Sequence, residues 1–99
     1  MKYVISWESR QGVTEEMAAR SLQVFSKWSP SEGAHFREFL GRVDGRGGFA
    51  VVETDDVALI AKDTAPFTSW FDFAVVPVLE VGETATIAGE AMEFLASVS

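Results

Sequence analysis

The sequence predicts an α+β fold of βαββαβ order with a further helix at its C-terminus, and three observations carry that reading. Residues 2–8 and 71–80 alternate side chains between two faces with a period of two, the signature of strands. Residues 14–27 and 83–97 instead place apolar side chains three and four apart, as helices do. Between them a run with four glycines in eight residues, Gly41 to Gly48, joins two extended segments, as a hairpin does.

Lys2–Glu8 reads as the first strand, with Tyr3, Ile5 and Trp7 on one face and Val4 and Ser6 on the other. Both faces are partly apolar, so both can be covered. A loop around Gly12 follows. Thr14 can then cap a helix whose first turn holds Glu15 and Glu16, where negative charge suits the helix dipole. That helix runs to about Lys27, with Met17, Ala18, Ser21, Leu22, Val24, Phe25 and Trp28 as a broad stripe. Ser29 to Gly33 breaks it, because proline disfavours helix in the residue before it.

His35–Asp44 reads as the second strand and Phe49–Glu53 as the third. Asp44-Gly45 is a good central pair for a type I′ turn, and Gly47-Gly48 permits a bulge or a close approach of strands. Asp44, Gly45, Gly47 and Gly48 are therefore assigned a structural role. Thr54-Asp55-Asp56 can start a short second helix through about Lys62, with Pro66 and Phe67–Trp70 as a separate turn. Phe71–Glu80 is the fourth strand. Its Pro77 cannot donate to the ladder and so favours an edge. Gly82 ends it, and Glu83–Ser97 is the last helix, with Ile87, Ala91, Phe94, Leu95 and Val98 on its apolar side. No repeat or linker divides residues 1–99, so one domain is expected. A hairpin between two βα units matches the split βαβ, ferredoxin-like arrangement, an antiparallel sheet with two helices on one face. The other sheet face is then free for a second copy.

Composition excludes several functions. Apolar residues are 47% and charged residues 23%, which excludes a disordered tail as the main reading. There is no cysteine, so disulfides and thiolate metal sites are out. No segment has the apolar length of a membrane span or a secretory signal, and a cytoplasmic protein without membrane partners is expected. The net charge of −7 argues against nucleic acid, whose backbone is bound by neutralising phosphates. The charge is uneven: residues 1–50 carry seven Lys/Arg against six Asp/Glu, and residues 51–99 one lysine against nine acids.

Arg42 and Arg46, in the glycine-rich run, can hold a carboxylate or phosphate by forked hydrogen bonds, or can be solvated surface residues. The run is no nucleotide loop, because it precedes a strand and no lysine follows. His35 is the only histidine, so one chain cannot build a multi-histidine metal site, and neither a metal nor another cofactor is expected. His35 is either a hydrogen-bonded strand residue or an acid–base group in a pocket with Trp7, Trp28, Phe36 and Phe73. Asp72, between Phe71 and Phe73, is either a solvated edge residue or a pocket carboxylate. No GxSxG elbow is present.

The stretches YVISW at 3–7, FSKWSP at 25–30, GRVDGRGGFAVVE at 41–53 and DFAVVPVLE at 72–80 resemble a family of uncharacterised, mostly bacterial proteins of about this length. That family is a domain of unknown function, similar in fold to the dimeric α/β-barrel proteins. The resemblance implies a ferredoxin-like protomer, sheets packed face to face in a homodimer, and a cleft between sheet and helices in each subunit. It carries no activity over. The superfamily's monooxygenase-like members use an aromatic-lined pocket with a few polar residues, and Trp7, Trp28, His35 and Phe73 are of that kind. Haem-binding members use a histidine on or near a helix, whereas His35 reads as part of a strand.

Three functions follow as expectations. The first is a dimeric domain that binds a small, mostly apolar molecule, neutral or anionic, through Trp7, Trp28, His35, Arg42, Arg46, Asp72 and Phe73. The second is a cofactor-independent monooxygenase or isomerase with His35 as catalytic acid or base and Arg42 or Arg46 at an oxyanion. The third is a structural homodimer with a filled core between its sheets.

Overall fold

Why the chain alternates between the two kinds of element is plain in the computed structural model, which describes residues 1–99. Strands β1 (Lys2–Ser9), β2 (His35–Gly41), β3 (Gly47–Glu53) and β4 (Phe71–Val78) alternate with helices α1 (Glu15–Lys27), α2 (Ala58–Thr64) and α3 (Val81–Ser97), and a 3-10 turn at Ala65–Phe67 follows α2. The strands form one open antiparallel sheet in the order β2-β3-β1-β4. This is the ferredoxin-like order, with one extra helix. The sheet does not close on itself into a barrel. No helix is long and apolar enough to cross a membrane.

Local chemistry sets the boundaries. Thr14 caps α1 by accepting the Met17 N–H at 3.2 Å, an interaction typically worth about 1 kcal/mol. Asp56 accepts the Ala58 N–H at the head of α2. β2 is shorter than the sequence suggests, ending at Gly41, because residues 42–46 form the hairpin turn. That turn is not type I′: Gly45 donates its N–H to the Arg42 carbonyl and takes φ +74°, while no non-glycine residue has positive φ. A type I′ turn centred on Asp44-Gly45 needs positive φ at both. The Asp44 carboxylate instead accepts the Arg46 N–H at 3.0 Å and folds the loop over itself.

α3 begins at Val81, so Gly82 lies in its first turn and does not separate it from β4. β4 is an edge strand, where Pro77 is tolerated. The core is small. Ile5, Ala50 and Val52 of the sheet meet Ala34, just ahead of β2, and Ile60 of α2, and Tyr3, Trp7, Phe36, Leu59 and Phe73 pack around them.

Candidate functional site: an aromatic cavity between sheet and helices

Register decides what the sheet presents to the helices. Trp7 stands between Gly48 on β3 and Phe73 on β4, and Ile5 between Ala50 and Val75. β3 thus offers the helices only Gly48, Ala50 and Val52, small side chains at the middle of the sheet. Larger neighbours lean into the space this leaves: Phe39 meets Trp7 edge-on, with centroids 5.5 Å apart. A β-carbon on Gly48 would lie 2.2 Å from the Leu40 carbonyl oxygen and 2.4 Å from Cζ2 of Trp7, so only glycine admits the indole here.

Above this floor α1 stands off the sheet and encloses a cavity of about 380 Å³. Leu22, Phe25 and Trp28 form its roof, Phe67 closes one end, and Phe71 and Phe73 line the β4 side. Phe25 stacks on Trp28 at 5.7 Å, and Trp28 meets Phe36 and Phe67 edge-on, each at 5.8 Å. Eleven of the 16 lining residues are hydrophobic, and none is Lys, Arg or His. The mouth is apolar too, with Leu22 69% and Phe25 47% exposed.

One charged group lines the cavity, and sequence reasoning missed it. Asp63, at the end of α2, is 5% exposed. Its carboxylate accepts the Ser31 backbone N–H at 3.0 Å and the Ser31 hydroxyl at 2.5 Å, while its backbone carbonyl accepts the Trp28 indole N–H at 3.1 Å. Buried charge persists when its lone pairs are satisfied. Here they fasten the Pro30 loop and the Trp28 ring to α2, which fixes the roof. Nothing local in the sequence signals this, since Ser31 lies 32 residues away and Asp63 follows Lys62 like any solvated helix acid.

The seven predicted ligand residues divide. Trp7, Trp28 and Phe73 line the cavity. His35, Arg42, Arg46 and Asp72 do not. His35 opens β2 opposite Glu53 and is exposed. Because of the bulge between Phe36 and Glu38, the cavity-facing places of β2 go to Phe36, Phe39 and Gly41. Arg42 lies beyond the far end of the same strand, about 20 Å from His35 at ~3.3 Å per residue, so a joint acid–base and oxyanion role is not assembled within the chain. Arg42 is already paired with Asp44 and, at 3.5 Å, with Glu8. The hydrogen bond to Asp44 raises the guanidinium above its ordinary value. Asp44 is pulled below the ordinary carboxylate range, first by the Arg46 N–H and then by Arg42. Arg46 stays in the exposed turn. Asp72 pairs with Glu8 in register, points to the face opposite Phe73, and meets Arg10 at 3.4 Å. It is a solvated edge residue. Asp44 and Gly45 lie in the hairpin turn and Gly47 and Gly48 open β3 directly after it, and no three His, Asp or Glu side chains converge as a metal site would require.

The opposite face of the sheet is open. Leu40, Phe49 and Val76 are 54%, 47% and 51% exposed there, beside half-buried Val4 and Val51.

Fold and cavity together define an α+β domain with an aromatic chamber under one face of its sheet and an uncovered apolar surface on the other. The chain belongs to the family described as Domain of unknown function (DUF3303), whose model matches residues 1–92. No curated protein and no solved structure matches the chain.

Proposed function

We propose that the protein is a binding domain for one small, predominantly apolar, uncharged molecule held in the aromatic cavity. The observation that carries this reading is the lining itself: about 380 Å³ walled by eight aromatic side chains and without a cationic residue. Binding sites for small molecules are typically ~300–1,000 Å³ and mostly apolar, with few polar groups. An anionic ligand has no support, because both candidate arginines stand outside and Arg42 is neutralised by its own neighbours. Flat aromatic or polyene compounds suit the edge-on and stacked rings best.

The reading includes a homodimer through the open sheet face, where Leu40, Phe49 and Val76 would be covered. Two sheets packed this way, ~10 Å apart, would make the eight-stranded barrel that the family resemblance implies.

Two of the three tryptophans, Trp7 and Trp28, line the cavity, so binding has an optical readout. Titration with neutral N-phenyl-1-naphthylamine is expected to quench tryptophan emission saturably at one probe per chain. Leu22→Trp, which narrows the mouth at an exposed position, is expected to weaken the probe at least tenfold. Non-saturable quenching, or equal affinity in both proteins, would exclude the cavity as a binding site.

A further inference from the structure

The feature that neither the cavity nor the sheet accounts for is α3. None of its residues is buried, and no hydrogen bond or ion pair ties its side chains to the rest of the chain. The Cα radius of gyration is 17.8 Å and the molecule measures 62 × 30 × 21 Å, whereas a compact chain of this length has a radius of about 13 Å. The excess is accounted for by α3, a rod of roughly 26 Å at 1.5 Å per residue that packs on no other element.

The composition of this rod is that of a covered helix. Ile87, Ala91, Phe94, Leu95 and Val98 fall on one side, with Glu83 and Glu90 along its border and Glu93 farther round. Ile87, Met92, Phe94, Leu95 and Val98 are 54–70% exposed. No side chain caps its N-terminus and no basic residue stands in its last turn. A helix of this length without packing is marginal in water, since most helical stability in proteins comes from burying an apolar face. Some surface must cover it.

Three observations identify that surface. The folded chain leaves α3 unseated although its own cavity mouth and sheet face are open to it, so its own body is not the seat. The arm is acidic and has no cation, while Arg20, Lys27, Arg46 and Lys62 of the body take part in no ion pair, and a second copy presents those cations. Two such arms together offer apolar area on the order of 1,000 Å², near the lower bound of a specific interface. A membrane surface fits less well, because lipid-binding amphipathic helices carry Lys and Arg on their polar face and this one carries glutamates.

We propose that α3 is an exchanged arm: each copy lays the Ile87, Phe94 and Leu95 side of its helix on the body of a second copy. The inference rests on the homodimer reading above and adds to it a second, separable contact. The sheet faces bring two copies together, and the arms lock them.

The test uses the full chain. Wild type, Phe94→Glu/Leu95→Glu and Val76→Glu are compared by sedimentation equilibrium over a wide concentration range. All three positions are exposed in the single chain, so no substitution buries a charge in its core. A wild-type dimer whose dissociation constant rises at least tenfold in the Phe94→Glu/Leu95→Glu protein supports the arm. Because the chain has no cysteine, Met92→Cys carrying a benzophenone label then reports what α3 touches, and a photoproduct of twice the chain mass is expected. A dimer indifferent to the arm substitutions but dissociated by Val76→Glu would overturn the arm and leave the sheet pairing intact. A photoproduct within one chain would also overturn it. A wild-type monomer at every concentration, or one that floats with neutral lipid vesicles, would overturn both the arm and the homodimer reading.

Discussion

The indole of Trp7 lies against the backbone of Gly48, its partner across the β1–β3 ladder, with no room between them for a β-carbon. Both residues face the cavity side of the sheet, so one missing methyl group sets where the largest ring of the floor can lie.

Gly48→Ala is therefore expected to destabilise the fold by about 1–3 kcal/mol, the usual range for overpacking a filled interior. The obstruction includes the Leu40 carbonyl, which cannot rotate away as a side chain can. Urea denaturation checks this, and Gly41→Ala, with open space around it, is the matched control that should change little.

Asp63 and Ser31 hold the roof. Ser31→Ala removes the hydroxyl donor from a buried carboxylate and is expected to cost about 1–3 kcal/mol. Asp63→Ala should cost at least as much, because the Ser31 N–H also loses its acceptor. Loosening Trp28 should show as red-shifted, more quenchable tryptophan emission in either variant.

His35→Ala is expected to leave the affinity of the neutral probe within twofold of wild type, since the imidazole stands outside the cavity lining. Phe39→Ala, which removes the ring against Trp7, should weaken the same probe. Equal effects of the two substitutions would contradict the placement of the site.

Acid sensitivity of the hairpin follows from Asp44. Its folded-state carboxyl lies below the ordinary range, so its contribution is fully present above the unfolded value near pH 4 and is lost as pH falls through the folded value. Asp44 is at the surface, so the effect is small and screened by salt. The Arg46 amide resonance, which reports the bond to Asp44, should shift on acidification, and Asp44→Asn should abolish that dependence.

The fold was legible because its signals are local or periodic. Thr14 announces α1, the alternation Tyr3, Ile5, Trp7 gives the covered face of β1, and Pro77 marks β4 as an edge. The aromatic half of the site was legible for the same reason: Trp7, Trp28 and Phe73 fall on faces that pattern alone assigns. The polar half was not. His35 and Arg42 attract attention by residue type, yet strand register and the β2 bulge keep them out of the cavity. Asp63 and Ser31 are ordinary residues whose roles come from a contact across 32 positions. The type of the turn at Asp44-Gly45 is not legible in the dipeptide, because the carboxylate bonds forward to the Arg46 N–H, a local alternative that dipeptide preference does not encode. The standing of α3 outside the body was equally hidden, since its pattern is that of any helix covered on one side.

The two edges of the sheet differ from its faces in what they permit. β2 is interrupted by its bulge beside Arg37, and β4 carries Pro77 and passes within two residues into α3. Neither offers an unbroken row of donors and acceptors on which a further strand could grow. Strand addition is disfavoured at both edges, so the homodimer proposed above would have to use surfaces, and assemblies made from surfaces related by a two-fold axis close after two members.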